Sequence, residues 1–400
     1  MTTLTLAWRY LWSRPLGAAL NLLLLSLGLA SITFLLLLGH QLQRAFDRDL
    51  AGIDLVVGAK GSPLQLILSG VLHLDVPTGN VPLQAVQALE QNPLVASVIP
   101  ISLGDSFRGF RIVGTSHAYP AHYQASLAQG SLWQAPMQVV LGASAARALG
   151  LQVGSRFVGS HGLGAGGHTH GDLPYTVTGI LAPTGSVLDR LILTDTASVW
   201  QVHEKATALD ADDQKILEQE RELTLALVRY RSPLAAMSLP RFINSTTEMQ
   251  AAAPALEISR LLRMLGVGTE VLQALAGVLL LTAALSVFLA LWSAVRERRT
   301  DLALLRMLGA PPRRVAALLL SEALWLGVLA AVLGVALGQG LLLLLGHLLA
   351  LDQSLLIGGL AWPRELGWVP ALALGVSLAA ALLPTLGAYR VSVQELLQPR

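Results

Sequence analysis

Cysteine is absent from all 400 residues, which excludes disulfides, thiolate metal centres and a cysteine nucleophile. Charge is scarce as well. Only 13% of residues are Asp, Glu, Lys or Arg, against about a quarter in an ordinary soluble protein. Lysine is nearly missing: Lys60, Lys205 and Lys215 are the only three among 27 basic residues. The net charge of +2 carries no sign of a nucleic-acid partner, because many arginines sit beside apolar runs. H-E-x-x-H and G-x-S-x-G are missing too, and Ser, His and Asp are nowhere grouped locally, so nothing marks a hydrolase. No catalytic residue is therefore assigned. Gly58-Ala59-Lys60-Gly61-Ser62 has a glycine and a lysine without the Walker spacing, and the chain shows no nucleotide site of its own.

What is abundant is apolar. Hydrophobic residues make up 53% of the chain and are clustered, the composition of an integral membrane protein with a substantial polar part. Residues 1–15 place Leu4, Trp8, Leu11 and Trp12 on one helical face, as in an interfacial helix with indoles at headgroup depth. Residues 16–39 are long enough to cross a bilayer. They exceed a signal-peptide core and end Leu37-Leu38-Gly39-His40 without a small-x-small site, so the segment reads as a retained span. Further spans are expected at 266–295, 315–349 and 368–388, with a short outer loop at 350–367 and a tail at 389–400. The helix feeding the second span starts near residue 255 and exceeds the bilayer, so a stalk is expected.

Residues 40–265 differ in kind. Short apolar runs alternate with Gly, Pro, Asn and Asp, as in an α+β domain of one large or two small parts. Strands are expected over 54–58, 96–103, 111–115, 138–141, 175–181, 190–194 and 225–229, and helices over 82–91, 142–149 and 233–243. Residues 203–223 read as a solvated charged helix or loop, and 159–172 as a disordered one.

Between the second and third spans lies 296–314, with Arg296, Arg298, Arg299, Arg306, Arg313 and Arg314. Cationic loops resist translocation, so this connector and both termini belong inside and the large domain outside. Leu304, Leu305 and Leu308 fall at helical spacing, while Gly309 and Pro311-Pro312 end the turn. A two-turn amphipathic helix on the inner membrane face results; it suits lipid headgroups or, preferably, a cytoplasmic protein. Ala330, Gly334 and Gly338 recur every four residues and permit close helix approach. Glu322 is the acid within the third apolar run, expected to snorkel or to pair with an arginine, and Pro384 is expected to kink the fourth span.

These residues resemble a family, the MacB/FtsX-type (type VII) ABC transporter permeases, which include the lipoprotein-releasing LolC and LolE subunits. The connector from Arg298 to Ala310 looks like the family's "R-x-E-I-x-x-L-R-A-L-G-A" segment, with Asp301 in the acidic position and Met307 in place of alanine. Ala388 to Leu397 resembles its closing segment, with Val393 replacing proline. Val140-Leu141-Gly142-Ala143-Ser144 to Gly154 looks like its periplasmic core motif, and Glu322 falls where an acid is frequent. The resemblance implies a four-span inner-membrane permease, a periplasmic domain inserted after the first span, and pairing with a second permease chain, identical or different. It implies that a cytoplasmic ABC ATPase dimer carries ATP and Mg²⁺, and that its stroke passes through stalk helices without a substrate path through the spans. Glu297, Arg298, Arg299, Asp301, Leu304, Leu305, Arg306, Leu308 and Gly309 would contact that ATPase. A periplasmic accessory or substrate protein is a further partner.

Gly162-Leu163-Gly164-Ala165-Gly166-Gly167 matches a dinucleotide fingerprint literally, but the following His168 to Pro174 will not start the helix such a site needs. The same segment carries His161, His168, His170 and Asp172, a donor set that suits Zn²⁺ or Cu²⁺. The competing reading is a set of solvated histidines; His73, His117, His122 and His203 are scattered and read as surface or packed residues. Metal capture would make the cargo metal-related or an envelope molecule, and the rival class overall is a membrane-anchored ligand or metal sensor without ATP coupling. Isothermal titration of the isolated domain is expected to show zinc affinity that disappears on replacing His168 and His170 by alanine.

Overall fold

The computed structural model describes residues 2–13, 15–161, 173–207, 217–218, 220–297, 307, 310–351 and 362–390. The chain divides into a helical unit (Met1–Gln43, Met264–Leu348 and Ile357–Arg400) and an α+β unit built on Arg44–Arg263. This is the four-helix membrane protein with an inserted α+β domain that the sequence predicts.

In the helical unit, four helices are long and apolar enough to cross a membrane. They are Pro15–Asp49, Pro254–Glu297, the run from Pro312 to Leu348, and the run from Arg364 to Leu386. Each satisfies its own backbone, which the hydrocarbon core requires. Proline opens the first three at the position where its missing N–H costs nothing. The fourth helix, Trp368–Arg390, runs through Pro384. Short helix Thr3–Leu11 carries the tryptophans and packs on the third span. Trp325 Nε1 donates to the Leu4 carbonyl at 3.2 Å, and the rings of Trp8 and Trp325 meet edge-on at 5.0 Å. Below them Leu11, Val287, Val315, Leu319 and Ala323 form one buried cluster.

The α+β unit is built on a single eleven-stranded sheet. In chain order its strands are β1 (Leu55–Ala59), β3 (Val95–Phe107), β4 (Phe110–Thr115), β5 (Leu127–Gly130), β6 (Gln138–Leu141), β7 (Arg156–Phe157), β8 (Ser160–His161), β9 (Tyr175–Leu181), β10 (Leu191–Asp195), β12 (Leu225–Tyr230) and β13 (Met249–Ala252). The short pair β2 (Val81–Pro82) and β11 (Glu222–Leu223) forms a second ladder. The main path is β13-β1-β12-β3-β4-β10-β6-β9-β5, with β7 on β9 and β8 on β3. Among the described residues, β10–β4 and β6–β9 are the parallel pairs. Strand β4 (Phe-Arg-Ile-Val-Gly-Thr) is buried along its whole length, whereas β9 alternates buried and half-buried positions.

One sheet carries two cores. Leu55, Val57, Val228, Leu239, Ile243 and Ala251 fill one, and Ile112, Val139, Leu141, Tyr175, Val177 and Ile192 fill the other. The long strand β3 joins them, pairing β12 on one side and β4 on the other, with a bulge between Leu103 and Ser106. At the β13 border a side chain stands in for a missing strand: Asn244 Nδ2 donates to the Ala251 carbonyl at 3.2 Å, and Asn244 Oδ1 accepts from the Ala251 N–H at 2.6 Å.

Two sequence expectations change in form. A helix already runs over Thr196–Thr207, and Glu222–Leu223 pairs with Val81–Pro82, so the ends of 203–223 are ordered by the sheet; 208–216 and 219 lie outside the described residues. Ser160–His161 is a strand on Asp105–Ser106 rather than loop, while 162–172 lies outside the described residues.

Candidate coupling connector and the joints around it

The connector itself is mostly beyond description. Glu297 ends the second long helix, and Met307 is helical and exposed. Arg298, Arg299, Asp301, Leu304, Leu305, Arg306, Leu308 and Gly309 lie outside the described residues. His161 contributes a backbone pairing to Asp105, and His168, His170 and Asp172 lie outside as well. Among the described residues no group of three or more His, Asp or Glu is placed to hold a metal ion. What the structure does describe are two joints, one between spans and one inside the α+β unit.

The first joint is between spans. Ala330 is fully buried, and Gly334 and Gly338 lie directly on the first span. A Cβ on Gly334 would stand 2.6 Å from Leu29 Cβ, and one on Gly338 would stand 2.6 Å from Thr33 Cβ and 2.9 Å from the Ala30 carbonyl. Only hydrogen in place of a side chain allows that approach, and Ala330, one turn earlier, lies in the buried cluster with Leu25 and Leu29. Asn21, also in the first span, accepts a 2.6 Å hydrogen bond from Ser286 Oγ of the second. Glu322 is 3% exposed, so it does not snorkel to the surface.

The second joint lies in the α+β unit, at the end of the first long helix. Asp49 closes that helix and is 4% exposed. Its Oδ1 accepts from the Val187 N–H at 3.1 Å, and its carbonyl accepts from Tyr123 Oη at 2.8 Å. The turn receiving it is stiff. Asp189 accepts from the Thr184 N–H, the Thr184 hydroxyl and the Gly185 N–H, all at 2.8 Å. On its other side stands Gly142, where a Cβ would overlap the Leu188 carbonyl, so the glycine of the Val140-Leu141-Gly142 motif is a matter of space.

Two buried arginines grip the adjoining loop. Arg190 donates to the Leu72 carbonyl at 2.8 Å and Arg111 to the Asp75 carbonyl at 2.9 Å. Burial lowers the Arg111 guanidinium to about 10, with Asp75 opposing and Arg190 adding. Between the gripped carbonyls sits His73, in left-handed backbone at φ 53° and 2.9 Å from Tyr119 Oη. Burial first, then the two guanidiniums, holds its imidazole well below its ordinary value. His73 and His117, the latter 2.9 Å from the Trp133 carbonyl, are packed residues. Sequence reasoning missed Asp49, Arg111 and Arg190 as a group, since Val187 follows Asp49 by 138 positions and no local spacing links them.

A four-span helical unit with an inserted α+β domain is a build found in ABC transporter permeases, and the family models agree. The MacB-like periplasmic core domain matches residues 18–233, and the FtsX-like permease C-terminal domain matches residues 274–393. The chain therefore belongs to the MacB/FtsX family of ABC transporter permeases. Among its relatives is the pyoverdine export ATP-binding/permease protein PvdT of Pseudomonas entomophila, 24% identical over 84% of this chain and 52% of that protein. PvdT of Pseudomonas syringae pv. tomato is 24% identical over 89% of this chain and 54% of its own length. The chain thus spans about half the length of the curated relatives it matches. The periplasmic region of MacB from Actinobacillus actinomycetemcomitans matches 54% of this chain and 96% of its own, at 16% identity and a TM-score of 0.35.

Gly338→Leu is expected to part the first and third spans, at about 1–3 kcal/mol or more of overpacking. The thermal midpoint of the purified variant in detergent should fall below that of the parent, whereas Gly340→Leu, at a position with open space, should leave it unchanged. The acid response tests the loop. A histidine neutral when folded but free to protonate when unfolded leaves stability full above about pH 6.5 and reduces it as pH falls below. His73→Asn tolerates the left-handed backbone and removes the titration. Its thermal midpoint should fall less than that of the parent between pH 7 and pH 5.

Proposed function

We propose that this chain is the membrane-spanning subunit of an ATP-driven complex and converts hydrolysis in a separate cytoplasmic partner into movement of its exported domain. The observation that carries the reading is the pair of unbroken helices Pro15–Asp49 and Pro254–Glu297, each with residues in both compact units. At 44 residues the second is about 66 Å long, roughly twice the hydrocarbon thickness. A rigid rod of that length delivers a displacement instead of absorbing it. The first rod ends in the Asp49–Val187 and Tyr123–Asp49 bonds, so its load passes to the sheet through hydrogen bonds to a stiff turn.

In this reading the connector and both termini face the cytoplasm of a bacterial cell and the α+β unit lies in the periplasm, as the arginines of 296–314 favour. Two permease chains pair over an ATPase dimer that binds ATP and Mg²⁺. Arg298, Arg299, Asp301 and Arg306 make the polar contacts to it, and Leu304, Leu305 and Leu308 fill an apolar groove. Each leucine is worth roughly 1.5–3 kcal/mol if fully buried. Pyoverdine export by the relatives supports an envelope cargo, and the histidine-rich sequence 161–172 supports a metal-related one.

Leu304→Asp places a charge in that groove. The variant is expected to lose both co-purification of a nucleotide-binding subunit and stimulation of its ATPase while still inserting in the membrane. Retention of both would exclude the role given to the connector. A parent chain that brings down no nucleotide-binding subunit would instead favour the anchored sensor.

A further inference from the structure

Helix Thr3–Leu11 and the opening of helix Pro312–Leu351 enclose a cleft of about 750 Å³. That volume falls within the roughly 300–1,000 Å³ of small-molecule sites. Its walls divide by chemistry. Thr2, Thr3, Arg313 and Arg314 bring hydroxyls and two guanidiniums, whereas Leu6, Val315 and Leu318 make an apolar floor. No acidic side chain is found among the described residues of the lining. The two walls are fixed to each other by the Trp325–Leu4 hydrogen bond, the Trp8–Trp325 ring contact and the packing of Leu11 against Val315. Trp8 and Trp12, further along the segment that begins at Thr2, are exposed, and indoles of this kind settle at headgroup depth. Two cations over a greasy floor at that depth call for an anion that carries an apolar tail.

We propose that this cleft binds the headgroup of an anionic phospholipid, with the phosphodiester between Arg313 and Arg314 and the first acyl methylenes against Leu6, over the buried Val315 and Leu318. Guanidinium and phosphate match in geometry and charge, and basic pockets between spans are suited to such headgroups. The floor selects among sources of negative charge. A free phosphate would leave the half-exposed Leu6 wet, and an acidic protein segment, approaching from the aqueous side, has no use for an apolar contact at the level of the indoles. The site is independent of the proposed ATP coupling.

The test places the full chain in nanodiscs of equal phosphatidylglycerol and phosphatidylcholine and counts retained lipid by native mass spectrometry. Phosphatidylglycerol should be retained selectively, and the double variant Arg313→Gln/Arg314→Gln should lower that selectivity roughly tenfold. Arg9→Gln, which removes a cation of the same helix outside the cleft, should leave it intact, and millimolar inorganic phosphate should not displace the lipid. Unchanged selectivity in the double variant overturns the proposal. So does an equal loss in Arg9→Gln, which would mean diffuse attraction. Displacement by inorganic phosphate would make the cleft a free-anion site. Loss of a co-purifying protein from the double variant in pure phosphatidylcholine discs, with lipid selectivity retained, would assign the arginines to a protein partner.

Discussion

Lipid tails solvate leucine as well as another helix does, so apolar surface alone cannot make membrane spans choose one arrangement. In this chain the choice falls to backbone contact. Gly334 and Gly338 bring the third span onto Leu29, Ala30 and Thr33 of the first, Gly28 receives Leu280 of the second, and Gly327 lies against Ser377 of the fourth. At Gly334 and Gly338 an added side chain would run into the Cβ atoms of Leu29 and Thr33, which cannot move without their own backbone. The Asn21–Ser286 hydrogen bond adds a polar tie in a medium without competing water. A bundle tied in this way is held by specific contacts as well as by its apolar surface.

The α+β unit has no cysteine and settles its cohesion by other means. Its sheet holds two apolar cores on a shared strand, β3, so that the halves are stabilised together. Where the first long helix arrives, polar groups replace greasy ones: Asp49, Tyr123, Val187, Arg190 and Arg111 form bonds at 2.8 to 3.1 Å, largely out of water. Such bonds are directional in a way that leucine contacts are not, and their geometry defines how the helix meets the sheet. Burial also keeps His73 neutral between two cations, which places it on the acid-sensitive side of the domain's stability.

Much of this was legible in residue order. Gln138–Leu141 and Tyr175–Leu181 were readable to the residue, because β-branched and aromatic positions end abruptly at turn formers. The Gly334–Gly338 spacing announced a helix contact, though not which helix would fill it. Other elements gave little signal. Strands β5 (Leu-Ala-Gln-Gly) and β13 (Met-Gln-Ala-Ala) contain no β-branched residue and exist because β9 and β1 offer them a ladder. Helix Pro63–Gly70 did have a local signature, Ser62 accepting from the Gln65 N–H with proline at the next position, which the strand-centred reading passed over. The Asp49 joint was invisible for a different reason: its partners come from three distant segments, and only the fold brings them together.

Asn244 has a consequence for the border of the sheet. An amide that occupies the outer hydrogen-bonding groups of Ala251 does the work of one more strand, and does it with a side chain that nothing else can extend. The border of the sheet at β13 is thereby sealed against its own kind. A strand approaching that margin would find the outward groups of Ala251 already taken, which disfavours pairing there.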